Sequence, residues 1–131
     1  MESLPHPYER CYLHHISVTD SEGTHYIELR ELVYLQADGS TTLFRYRNGD
    51  KLIICHNIGY FEELLPCCFV RVHKSYIVNL LHVIQSGRDH TLKFRISVEP
   101  TIAIGPSYRE GFQAAFNHWS ACPKTPFRHA S

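Results

Sequence analysis

The chain has 131 residues, enough for one domain with a buried core. Its 44% hydrophobic and 20% charged residues exclude disordered, collagen-like and low-complexity chains, and no apolar run nears the ~18 residues of a membrane span. Thirteen Lys and Arg balance thirteen Asp and Glu, which excludes a strongly basic coat and, on composition alone, argues mildly against nucleic acid.

Residues 1–10, MESLPHPYER, are polar and proline-containing, and read as a flexible arm rather than a signal peptide. Without an export or anchoring signal, the cytoplasm is the expected compartment. Short segments rich in β-branched and aromatic residues follow, separated by turn signals. Residues 11–19 (CYLHHISVT) alternate imperfectly, 21–23 form a turn, and 24–29 and 31–36 are strand-like. Ala37-Asp38-Gly39 marks a hairpin leading into 41–47, and Asn48-Gly49-Asp50 marks another leading into 51–55. The period then changes. Ile58, Phe61, Leu64 and Leu65 share one helical face, with Asn57 as cap and Pro66 as stop. Residues 68–80 return to strand-like composition, and 82–85, 91–98 and 101–104 are further short strands. After Gly105-Pro106, Ser107 can cap a last helix over 108–119, with Glu110 completing a capping box. Phe112, Ala115, Phe116 and Trp119 give that helix its apolar face, and Pro123 and Pro126 make 121–131 an irregular tail. The expected fold is mainly β, with one short central helix and one C-terminal helix.

Neutrality on average hides an asymmetry. Residues 1–66 hold five basic and ten acidic side chains, whereas 67–131 hold eight and three. An anionic partner is therefore expected on the second half. There, Arg71, His73 and Lys74 sit together inside the apolar stretch FVRVHKSYIVNL. A buried strand would not tolerate them without partners, so they project to solvent or to an anion while Val70, Val72, Ile77 and Val78 hold the backbone to the core. Two readings stay open on residue chemistry alone: a solvated edge carrying gatekeeper charges, or a rigid platform for phosphates and base edges.

FVRVHKSYIVNL resembles the signature of the LytTR DNA-binding domain, the output module of many bacterial response regulators. Upstream, ELVYLQADGSTTLF and NIGYFEELLPCCFVRVHKSY are similar to the family's strand pair, hairpin and short helix. Downstream, VIQSGRDHTLKFRISVEPTIAIGPSYREGFQAAF is similar to its last hairpin, final strand and C-terminal helix. The resemblance covers roughly residues 11–118, and we set the domain at 11–120. It implies an elongated stack of small antiparallel sheets that reads duplex DNA with loops entering successive major grooves, phosphate contacts fixing register and a few side chains reading bases. Carried over residue by residue, it puts Lys74 at a base edge, with Arg71 and His73 in phosphate contact or loop support. Ser40, Thr41 and Thr42 fall at the first contact loop. The third falls on Gly105-Pro106-Ser107, where many members carry a Ser-Arg-Arg-like run. Two cations are missing here, and Arg109 is the nearest substitute.

Ten histidines and five cysteines lack two ligand pairs at structural-zinc spacing, so no metal or other cofactor is expected. The odd cysteine count, with no CxxC spacing, reads as reduced, mostly structural thiols. No GxSxG, HExxH or phosphate-binding glycine loop is present, so no enzyme or small-molecule substrate is expected. The expected function is that of a bacterial, cytoplasmic transcriptional regulator binding promoter DNA, on repeated half-sites and as a homodimer or in tandem, with no membrane partner. Met1 close to the first strand-like segment favours a stand-alone domain without a receiver. The alternative is a non-enzymatic protein-interaction module on the same fold.

Overall fold

The computed structural model describes residues 14–99 and 101–121. The chain order begins with strands β1 (His15–Asp20), β2 (Gly23–Glu28), β3 (Leu32–Asp38), β4 (Thr41–Tyr46) and β5 (Lys51–Ile54). Helix α1 (Ile58–Leu64) leads into β6 (Phe69–His73) and β7 (Tyr76–Asn79), then β8 (Val83–Ser86), β9 (Leu92–Phe94) and helix α2 (Arg109–Ala121). Among the described residues, three antiparallel sheets result: β1-β2, β5-β4-β3-β7-β6 and β8-β9. The expected arm lies outside the described residues, as does the expected tail beyond Ala121.

The middle sheet explains the sequence pattern. β3 and β7 read as continuous apolar runs because both of their faces are buried. Leu32, Leu35 and Ile77 face one core, with Val18, Ile27, Ile58 and Phe61 from β1, β2 and α1. Val33, Tyr34 and Val78 face a second core, with Leu92, Ile102, Ile104 and Phe112. The small sheets and the helices are thus the two covers of one central sheet.

Local chemistry accounts for most boundaries. Asn57 caps α1, its Oδ1 accepting from Tyr60 N–H at 3.1 Å. Gly39 takes φ +62° at the first loop position of the β3–β4 turn, a conformation that favours glycine. Four expectations need correction. The strand-like residues 68–80 are the β6–β7 hairpin; strand geometry ends at Phe94 rather than Val98, and 101–104 holds an isolated bridge at Ala103 rather than a strand. Ser107 does not cap the last helix: Pro106–Tyr108 form a 3-10 turn without a side-chain cap, and α2 starts at Arg109. Cys67 is disulfide-bonded rather than a reduced thiol, whereas Cys55 and Cys68 are in no disulfide.

Two polar side chains tie the layers together. Asn79, only 1% exposed, donates from Nδ2 to the carbonyls of Leu29 (3.2 Å) and Leu32 (2.8 Å), and its Oδ1 accepts from Leu81 N–H (3.0 Å). Asn79→Ala leaves buried groups unsatisfied and should cost about 3 kcal/mol, read as a lower urea midpoint at unchanged slope. Asp20 fastens the β1–β2 hairpin to the segment after β5, accepting from Cys55 N–H at 2.7 Å and from His25 at 2.9 Å. The Cys55 bond, with help from His25 and Glu22 N–H, holds this carboxyl well below its ordinary value against a smaller opposing effect of desolvation. A depressed carboxyl stabilises the fold above its ordinary pKa and loses that contribution as pH falls. Asp20→Asn should therefore lower Tm at pH 7, with the gap to the parent narrowing below about pH 4.

Candidate nucleic-acid interface

Strand direction collects the loops. The end of β3, the start of β4, the end of β5 and the β6–β7 turn all lie at one end of the central sheet, as the antiparallel register requires. Ala37 N–H donates to Ser75 O at 2.8 Å, joining the β3–β4 hairpin to the β6–β7 turn. Gly105 N–H donates to Val72 O at 2.8 Å, pinning the loop before α2 to the same turn. The register slips between Arg71 and His73, a bulge that leaves the Val72 carbonyl for this bond.

The β6–β7 turn is clamped from below. Val70 and Val72 are 7% and 0% exposed, and Ile77 and Val78 are buried opposite them. Arg71 folds back under the turn rather than reaching outward. Its Nε donates to His73 O at 3.0 Å, one terminal nitrogen donates to Lys74 O, and the other meets Glu62 of α1 at 2.6 Å. The His73 ring accepts from Ser75 N–H through Nδ1 at 3.1 Å, so the neutral ring carries its proton on Nε2, and it leans on Tyr76. With both flanking carbonyls held, Lys74 stands exposed at the tip.

The other expected contacts fare differently. Ser40 is exposed in the β3–β4 turn, and the half-buried Thr41 gives its hydroxyl to Asp38 O at 2.9 Å. Thr42 is fully buried, its hydroxyl bonded to His56 O at 2.8 Å, and so presents nothing to a ligand. Ser107 and Arg109 are exposed beyond the Gly105 anchor. A further cation escaped the sequence reading. Ile104 N–H donates to His90 O, which brings the β8–β9 turn and exposed Arg88 to the same end. Among the described residues, Lys74, Arg88 and Arg109 are in no ion pair. The neighbourhood is not uniformly positive, since Asp38 and Glu110 are exposed too. Asp89 is held below its ordinary pKa chiefly by its bond to Thr91 N–H. Among the described residues, no three His, Cys, Asp or Glu side chains gather as a metal site would need.

A family model, the LytTr DNA-binding domain, matches residues 22–117. The chain belongs to the LytTR family. The matched span holds the β3–β4 hairpin, the β6–β7 turn and the loop before α2. The fold is similar to that of the LytTr DNA-binding domain of a Bacillus cereus protein described as a methyl-accepting/DNA response regulator. The TM-score is 0.61 at 20% identity, over 79% of this chain and 97% of that one. No curated protein matches the chain in sequence. Among the described residues, no helix of this LytTR chain is long and apolar enough to cross a membrane. Its departure from the expected pattern is the uncharged Gly105-Pro106-Ser107.

The guanidinium fork of Arg71 meets acceptors in three directions, which an ammonium cannot reproduce. Arg71→Ala should speed hydrogen exchange of the Ser75 amide by about tenfold, and Arg71→Lys should not restore protection.

Proposed function

We propose that this LytTR chain binds duplex DNA sequence-specifically through loops entering the major groove, and that it regulates transcription in a bacterial cytoplasm. The observation that carries this reading is the convergence of the loops on one end of a rigid sheet, with Lys74 exposed on a turn that Arg71 holds from beneath. Lys74 is the base-reading residue, since an ammonium donates to guanine O6 or N7. Arg71 positions it. His73, whose neutral ring carries its proton on Nε2, and Arg109 contact phosphate, as does Arg88, which supplies positive charge where Gly105-Pro106-Ser107 has none. Ser40, Thr41 and Ser107 contribute uncharged polar contacts. Two domains on repeated half-sites, as a homodimer or in tandem, add the affinity that so few cations cannot.

The test is enrichment of a DNA site from random duplexes, followed by anisotropy titration. Lys74→Ala should weaken the selected site by about 1–3 kcal/mol while leaving random DNA nearly unchanged. Arg88→Ala should weaken both alike and reduce the salt slope by about one. The missing cations and zero net charge favour one other reading, a protein-interaction module on the same fold. That reading wins if no duplex binds even at ~50 mM salt, where the ionic contribution is large.

A further inference from the structure

At the opposite end of the central sheet, three arginines border one open cleft of about 440 Å³. Arg30 comes from the turn between β2 and β3, Arg47 follows β4 and Arg95 follows β9; Glu31, Leu81 and His82 complete the lining. Backbone bonds fix the three positions. Arg47 N–H donates to Glu31 O at 2.7 Å and Arg95 N–H to His82 O at 2.8 Å. The His82 ring bonds Arg30 O through Nε2 at 2.7 Å, and Arg95 Nε donates to Leu81 O at 3.2 Å.

The charges do not balance inside the cleft. Glu31 pairs with Arg47 at 3.2 Å, and Glu28, outside the lining, pairs with Arg30 at 3.1 Å. Arg95 has no carboxylate partner among the described residues. Burial lowers the pKa of His82, and Arg47 and Arg95 press in the same direction; the bond to Arg30 O and the charge of Glu31 oppose them. After these two ion pairs one positive charge, that of Arg95, is left over at the cleft, and it favours an incoming anion.

We propose that this cleft binds a small phosphomonoester. Arg95 has no carboxylate partner among the described residues, and Arg30 and Arg47 each keep N–H donors beyond the one carboxylate that holds them; donors from three separate elements suit the three outer oxygens of a phosphoryl group better than the two of a carboxylate. Leu81 and the His82 ring offer a wall to an organic body, and the volume lies within the range of about 300–1,000 Å³ typical of small-ligand sites. The cleft is at the far end from Lys74, so its occupant and the reading loops do not compete for space. The proposal holds whether or not those loops read DNA.

The experiment is an NMR titration of the full chain with phenyl phosphate, following the Arg side-chain N–H signals and the His82 ring, with benzoate as the carboxylate control. Saturable shifts are expected with half-saturation at about 1 mM or below. Arg95→Gln or Arg47→Gln should weaken binding by about tenfold, and Lys74→Ala should leave it unchanged. Bound phosphate should also move the His82 titration to higher pH, because a neighbouring anion favours the imidazolium. The proposal is overturned by no saturable response, by a response that both Gln variants retain, or by an equal response to benzoate. It is equally overturned if duplex DNA displaces the phosphate, which would assign these arginines to a nucleic-acid surface.

Discussion

Burial of β3 and β7 on both faces is the constraint from which the rest follows. A strand covered on both sides offers no face to a ligand, so recognition is pushed to its ends. Leu35 and Ile77 look toward one cover, Tyr34 and Val78 toward the other. Neither cover can be removed without exposing a core. The ends stay open because hairpin tips must turn in solvent. One end therefore carries loops brought to common depth by the sheet register, and the other carries the arginine cleft.

Arg71 shows how a cation becomes structural. A guanidinium left exposed contributes charge; the same group aimed at two turn carbonyls and a carboxylate contributes shape. The pair with Glu62 is lopsided, the arginine side chain being 18% exposed and the glutamate 47%. Solvent screens the ion pair, so its contribution is small. The carbonyl bonds matter more, because the bulge before His73 leaves this turn short of ladder bonds. The backbone at Lys74 is thereby ordered in advance, so only the side chain's own rotamer entropy remains to be lost if a ligand engages it.

How much of this was legible beforehand follows from where the information sits. Asn57, Gly39 and the apolar face of α1 are local signals, and each appears where the sequence puts it. The turn at Lys74-Ser75 carries no glycine or proline, so only the resemblance of FVRVHKSYIVNL to a family signature puts a loop there, and Lys74 is exposed on it. For Arg71 the sequence leaves phosphate contact and loop support open, and its bonds to the His73 and Lys74 carbonyls and to Glu62 on α1 decide for loop support. Thr42 looked like Ser40 and Thr41, since nothing local says that the His56 carbonyl lies beneath it. Arg88 was missed for the opposite reason. Its turn is obvious, but only the bond from Ile104 to His90 brings that turn beside the others. The disulfide at Cys67 could not be read from an odd count with no paired spacing.

Net neutrality is then a poor guide to what this surface does. Ionic attraction is local, because screening confines it to about 10 Å at ordinary salt. A ligand at the β6–β7 turn responds to Lys74, Arg88 and Arg109 with Asp38 and Glu110 nearby. A ligand at the far end responds to Arg30, Arg47 and Arg95 with Glu28 and Glu31. These sets are separated by the length of the central strands, and β3 alone spans seven residues. At ~3.3 Å per residue that exceeds the screening distance. Each end is therefore its own electrostatic environment, and the chain's zero charge is a sum over surfaces that no single partner meets.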